Sequence, residues 1–109
     1  MANIGEIYWI KQKNNISHPQ VVVKEDGDLL TLCSITSNQN KTNMPGNVAL
    51  EAGEGDLYKK SIVEVSKVMI VTIDELERYI GTLSTRRIEE ILKGIRFVQS
   101  LLPEDRISN

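Results

Sequence analysis

Apolar residues in the first third of the chain come in short runs bounded by polar or turn-forming residues, the pattern of strands rather than long helices. Three such runs are "EIYWI" (Glu6–Ile10), "QVVVK" (Gln20–Lys24) and "LLTLCSI" (Leu29–Ile35). They are rich in β-branched, aromatic or other apolar side chains that suit a pleated, half-buried surface. The third is nearly all apolar, as a strand covered on both faces would be. Asp26-Gly27 lies between the second and third runs. Glycine accepts the positive φ that a tight turn requires, so these two runs are expected to form a hairpin.

The pattern then weakens. "TSNQNKTNMPGN" (Thr36–Asn47) is rich in Asn, Gly and Pro and has no apolar period, so it reads as a loop. "VAL" (Val48–Leu50) is a weak strand. The stretch "EAGEGDLYKK" reads as a solvated turn; the spacing of its carboxylates does not match a calcium-binding loop. "SIVEVSKVMIV" (Ser61–Val71) is the longest β-like run. Val63 and Val65 share one face, but Val68 and Ile70 have the other parity, so a bulge is expected near Ser66-Lys67.

Two helices are expected to follow. Thr72-Ile73-Asp74-Glu75 has the form of a capping box. Leu76, Tyr79 and Ile80 would follow it in a short helix, with Gly81 as its stop. Ser84 is placed to cap a longer helix. In it Ile88, Ile91, Leu92, Ile95, Val98 and Leu102 form one apolar stripe, and Pro103 ends it. The elements predict an α+β fold, mostly β. A small, strongly bent antiparallel sheet in five-stranded, barrel-like order carries a short helix and a C-terminal helix.

Composition narrows the picture. The chain has 109 residues, 40% of them apolar, which suits one domain over residues 1–109 with a single core. No window approaches the roughly 18 apolar residues of a membrane span, and the N-terminus does not read as a secretory signal. A single cysteine, Cys33, allows no internal disulfide and reads as a buried thiol. Cys33 and the one histidine are too few for a zinc site, and no cofactor is expected. The expected compartment is the reducing cytoplasm. A net charge of −2 argues against a general basic coat for duplex nucleic acid, while leaving room for a local basic patch or a basic partner.

The single histidine raises the question of chemistry. His18 precedes Pro19, which biases it to extended geometry, and then the valine run of the second strand begins. At this point the residues resemble the PemK/MazF-type toxins of bacterial toxin–antitoxin pairs. The resemblance rests on an ordered set: "GEIYWI", "HPQVVV", "CSITS", "LYKKSIVEVSKVMIVTID" and "YIGTLSTRRIEEILKGI". The match runs from Gly5 to about Gln99, and the His-Pro start looks like one branch of the family.

The resemblance implies an SH3-like, PemK-like barrel, shared with gyrase-poisoning toxins. It implies a homodimeric endoribonuclease that cuts single-stranded RNA without metal, and an acidic antitoxin peptide as partner. The family's arginine before the second-strand proline is His18 here, and its hydroxyl pair after the third strand is Thr36 and Ser37. The 11–17 loop has no acidic residue. Glu64 and Ser66 stand where some members hold Arg and Asp, and Lys67 stands in place of a glutamine.

RNA transesterification needs a base for the 2′-hydroxyl proton, an acid for the 5′-oxygen, and donors toward the phosphorane. Histidine can exchange a proton near neutral pH where arginine cannot readily do so. His18, Thr36 and Ser37 are therefore the candidate catalytic set, with Lys11, Lys13 and Lys67 as candidate substrate-binding cations. Trp9 or Tyr8 could stack a base. Against these readings stand a half-exposed imidazole bonded to a loop carbonyl, a hydroxyl pair capping a loop, and a solvated lysine. The alternative function is a catalytically weak member that acts by binding protein, an antitoxin or a topoisomerase.

Overall fold

The structure is a computed structural model and describes residues 2–10 and 18–101. Its strands are β1 (Glu6–Ile10), β2 (Gln20–Asp26), β3 (Leu29–Thr36), β4 (Val48–Leu50), β5 (Ser61–Thr72) and β6 (Leu76–Thr82), followed by the helix α1 (Thr85–Ser100). They form one six-stranded antiparallel sheet in the order β4-β5-β3-β2-β1-β6, one strand more than the sequence pattern suggested.

β2 and β3 form the expected hairpin, with Asp26 paired to Leu29 and Gly27 at φ 61° in the turn. Alternation sends their side chains into two cores. Val21, Val23, Cys33 and Ile35 join one cluster, on which α1 packs through Ile88, Ile91, Leu92 and Ile95. Val22, Leu30 and Leu32 join another, with Ile10 and Val71. Both faces of the hairpin are thus covered, which is why "VVV" and "LLTLC" carry so few polar residues. Cys33 is fully buried, and burial pushes its thiol up to about 11, so it behaves as a small apolar side chain.

The expected bulge is present. Ser34 pairs with Glu64 and Cys33 with Val68, which leaves Val65, Ser66 and Lys67 unpaired with β3 and reverses the parity of β5. The C-terminal helix also forms where its stripe predicted. Ser84 Oγ accepts from the Arg87 N–H at 3.2 Å, and Ile91 is 1% exposed. Leu102 and Pro103 lie outside the described residues.

The short helix expected at 72–81 does not form. Glu75 does accept from the Thr72 N–H at 2.8 Å, but the box closes only a 3₁₀ turn over Ile73–Glu75. The chain then runs out as β6 and pairs with β1, from Glu6↔Thr82 to Ile10↔Leu76. Leu76, Tyr79 and Ile80 have helical spacing, but β1 offers a free row of N–H and C=O groups, and its partner must come from somewhere. Tyr79 meets Tyr8 edge-on, ring centroids 5.6 Å apart. Gly81 is not a helix stop: it lets β6 lie against the backbone carbonyl of Gly55, where a Cβ would collide.

Candidate functional site

The lip of the β2–β3 hairpin opposite its turn builds the site. The register Gln20↔Ser34 carries on through the Ile35 N–H, which donates to the Pro19 carbonyl at 2.9 Å. Continued one residue further, that antiparallel register sets His18 opposite Thr36. The ring of His18 is half-buried, Thr36 is 8% exposed, and Ser37 is open to solvent.

His18, Thr36 and Ser37 line one cavity of about 580 Å³. This lies within the roughly 300–1,000 Å³ typical of small-molecule sites. Pro19, Ile35, Leu57 and Ile80 give it an apolar floor. The Thr36 Oγ1 accepts from the Asn38 N–H at 3.2 Å, so its own hydrogen is left to donate elsewhere. Gln39 ties two sides of the rim together: its Nε2 donates to the Ser37 carbonyl at 3.3 Å and to the Lys60 carbonyl at 3.1 Å.

The other wall comes from segments that the sequence reading did not assign to a site. The turn between β4 and β5 contributes Asp56, Tyr58 and Lys59, the start of β5 contributes Ser61, and β6 contributes Arg78. Arg87 of α1 fixes that turn: its Nε and Nη2 each donate to a Glu54 carboxylate oxygen at 2.9 Å, and its Nη1 to Glu90 at 2.8 Å. The Arg87 hydrogen bonds, chiefly, hold the Glu54 carboxyl below its usual range. Tyr58 is 92% exposed, a large aromatic face presented to water beside Lys59. Trp9 also lines the cavity, whereas its neighbour Tyr8 packs on the second core and donates to Glu6 at 2.8 Å. Alternation on β1 therefore gives the tryptophan to the cavity.

Two cations, Lys59 and Arg78, and the imidazole of His18 meet there with one carboxylate, Asp56. Two aromatic rings and four hydroxyls, one of them the Tyr58 phenol, add to the lining. Cations, stacking faces and hydroxyl donors are the parts from which single-stranded nucleic-acid sites are made. Arg78 makes no ion pair among the described residues. Its place on β6 explains why the sequence hid it, since that segment reads as helix. Lys59 was visible only as part of the basic step "YKK".

Lys67 goes elsewhere. It lines a separate hollow of about 340 Å³ with Gln20, Ser34 and Ser66, on the opposite face of β2 and β3, and its Nζ lies 3.9 Å from buried Glu64. The parity change at the bulge carries it away from His18. Lys11 and Lys13 lie outside the described residues.

Solved structures share this architecture. An endoribonuclease from a Mycobacterial species, in complex with its cognate antitoxin, superposes with a TM-score of 0.78 at 15% identity over 94% of this chain and 99% of the other. The Mycobacterium tuberculosis toxin MazF-mt6 superposes at 0.73 with 17% identity, over 90% and 99%. A further Mycobacterial endoribonuclease gives 0.73 at 15% identity, over 94% and 97%. At these identities the likeness is one of fold. No curated protein sequence matches the chain. The family model of the PemK-like, MazF-like toxins of type II toxin–antitoxin systems matches residues 3–98, nearly the whole length, and the chain belongs to that family.

Proposed function

We propose that this toxin is an endoribonuclease that cleaves single-stranded RNA at the His18 cavity, by attack of a 2′-hydroxyl on the adjacent phosphate and without a metal ion. The observation that carries the reading is the meeting of His18, Thr36 and Ser37 in one solvent-open cavity with Arg78 and Lys59. Arg78 and Lys59 draw in the phosphate. The Thr36 and Ser37 hydroxyls donate to its non-bridging oxygens as negative charge grows on the phosphorane. His18 exchanges a proton with the reacting oxygens. Arg78 brings a guanidinium to the pocket from a different strand, which offsets the replacement of the arginine before Pro19 by histidine. DNA lacks the 2′-hydroxyl and is not cut.

The same reading makes the protein a cytoplasmic single-domain homodimer, silenced by an acidic antitoxin peptide that competes for the basic lip. The test is incubation with a mixed-sequence RNA pool in chelator, followed by end mapping. Cleavage leaving 2′,3′-cyclic phosphate or its hydrolysis product is expected. Intact RNA, together with a protein partner captured by the same preparation, would instead favour a binding toxin, the reading that the histidine at position 18 leaves open.

A further inference from the structure

Transesterification moves two protons, and His18 can account for one of them at a time. The cavity lining contains few groups able to handle the other. Arg78 and Lys59 are strong cations and do not accept a proton, and hydroxyls are poor acceptors near neutral pH. The remaining group is Asp56, the one carboxylate among the described lining residues.

Two further observations bear on Asp56. Its backbone is left-handed, φ 59°, and it is the only described non-glycine residue with a positive φ. Its neighbours Gly53 and Gly55 take φ 96° and 58°, so the turn already uses glycine where such geometry is needed. An aspartate held in a conformation that glycine adopts more easily is the sort of outlier found at functional sites. In addition, the Asp56 side chain makes no hydrogen bond or ion pair to any described residue, while its own turn is clamped by Glu54 to Arg87 and by close packing of Gly55 on Gly81. The carboxylate is thus carried by a fixed backbone and left uncommitted at the cavity wall.

We infer that Asp56 accepts the 2′-hydroxyl proton in this cavity while His18, protonated, donates to the leaving 5′-oxygen; this rests on the ribonuclease reading above. In the step the 2′-oxygen forms a bond to phosphorus and its proton passes to the Asp56 carboxylate. The phosphorus–O5′ bond breaks, and the imidazolium proton of His18 goes to O5′. The products are a 2′,3′-cyclic phosphate and a free 5′-hydroxyl. Asp56 is left protonated and His18 neutral, and exchange with water restores both.

The test uses the full chain with Asp56→Asn and Asp56→Gly, read by cleavage rate against pH on a mixed-sequence RNA and by affinity for a non-cleavable 2′-deoxy oligonucleotide. Asn tolerates the left-handed backbone and Gly prefers it, so both variants keep the turn. Cleavage is expected to fall about a hundredfold in each, the range of a general base. Affinity should change less than threefold. The rate should depend less steeply on pH in Asp56→Asn than in the parent. Variants that cut within twofold of the parent, with His18→Ala inactive, overturn the role of Asp56 and leave the ribonuclease standing. A parent protein that leaves RNA intact overturns both.

Discussion

The two faces of the β2–β3 hairpin carry two hollows of contrasting design. On one face, Pro19 and Ile35, with His18 and Thr36 at the lip, join Arg78 and Tyr58 around a cavity of about 580 Å³ whose cations make no ion pair among the described residues. On the other, Gln20, Ser34 and Lys67 line a hollow of about 340 Å³ beside buried Glu64, which already has Lys67 at 3.9 Å. Neighbouring residues, Pro19 and Gln20 or Ser34 and Ile35, serve opposite hollows because strand side chains alternate. The lesson is that positive charge marks a site only where it is unspent. Lys67 lies 3.9 Å from a carboxylate of its own chain, whereas Arg78 makes no ion pair among the described residues.

The largest expected difference comes from removing the reactive group on each face. His18→Ala should lower RNA cleavage about a hundredfold, as loss of a general acid does, and by no less than tenfold, about 1.4 kcal/mol of barrier. Lys67→Ala should leave the rate within twofold. Single-turnover rates on one oligonucleotide read both, and equal losses would erase the distinction between the two faces. Next in size is Arg78→Ala. We expect roughly tenfold weaker RNA binding at low salt, and a plot of log affinity against log salt flattened by about 0.7, the share of one phosphate contact on a single strand. Tyr58→Ala should cost about 1 kcal/mol in binding to a non-cleavable oligonucleotide, about fivefold, if a base stacks on that exposed ring.

The smallest effect concerns the clamp behind the wall. Arg87 holds the folded-state pKa of Glu54 below its unfolded value. The pair therefore stabilises the fold fully above the ordinary glutamate pKa, about 4.3, and that contribution fades as pH falls through the lower folded value. Thermal denaturation of Glu54→Gln should show a lower melting temperature than the parent at pH 7 and a gap that closes on acidification. A constant gap would mean that the clamp acts through shape alone.

Much of this architecture was legible from residue pattern. The short β-branched and apolar runs placed β1, β2 and β3, the parity slip placed the bulge, and the apolar stripe placed α1. The segment after Thr72 was not, because Leu76, Tyr79 and Ile80 satisfy a helical spacing and the capping box is real. What decides for β6 is the unpaired edge of β1, more than sixty residues earlier in the chain. That one misreading hid Arg78. The hydroxyl pair and His18 could be singled out through family resemblance, and hairpin register brings them together. Asp56 and Tyr58 were hidden for another reason: they reach the cavity only because Gly81 admits Gly55 closely and Arg87 grips Glu54 from 33 residues away. Such contacts leave no local pattern.

The most direct test of where RNA sits is amide and indole chemical-shift mapping with a 2′-deoxy oligonucleotide, which binds but has no nucleophile. We predict shifts at Trp9, His18, Ser37, Tyr58 and Arg78, with Ser66 to Met69 unmoved. Shifts confined to Ser66, Lys67, Val68 and Met69, with the His18 cavity silent, would contradict the account.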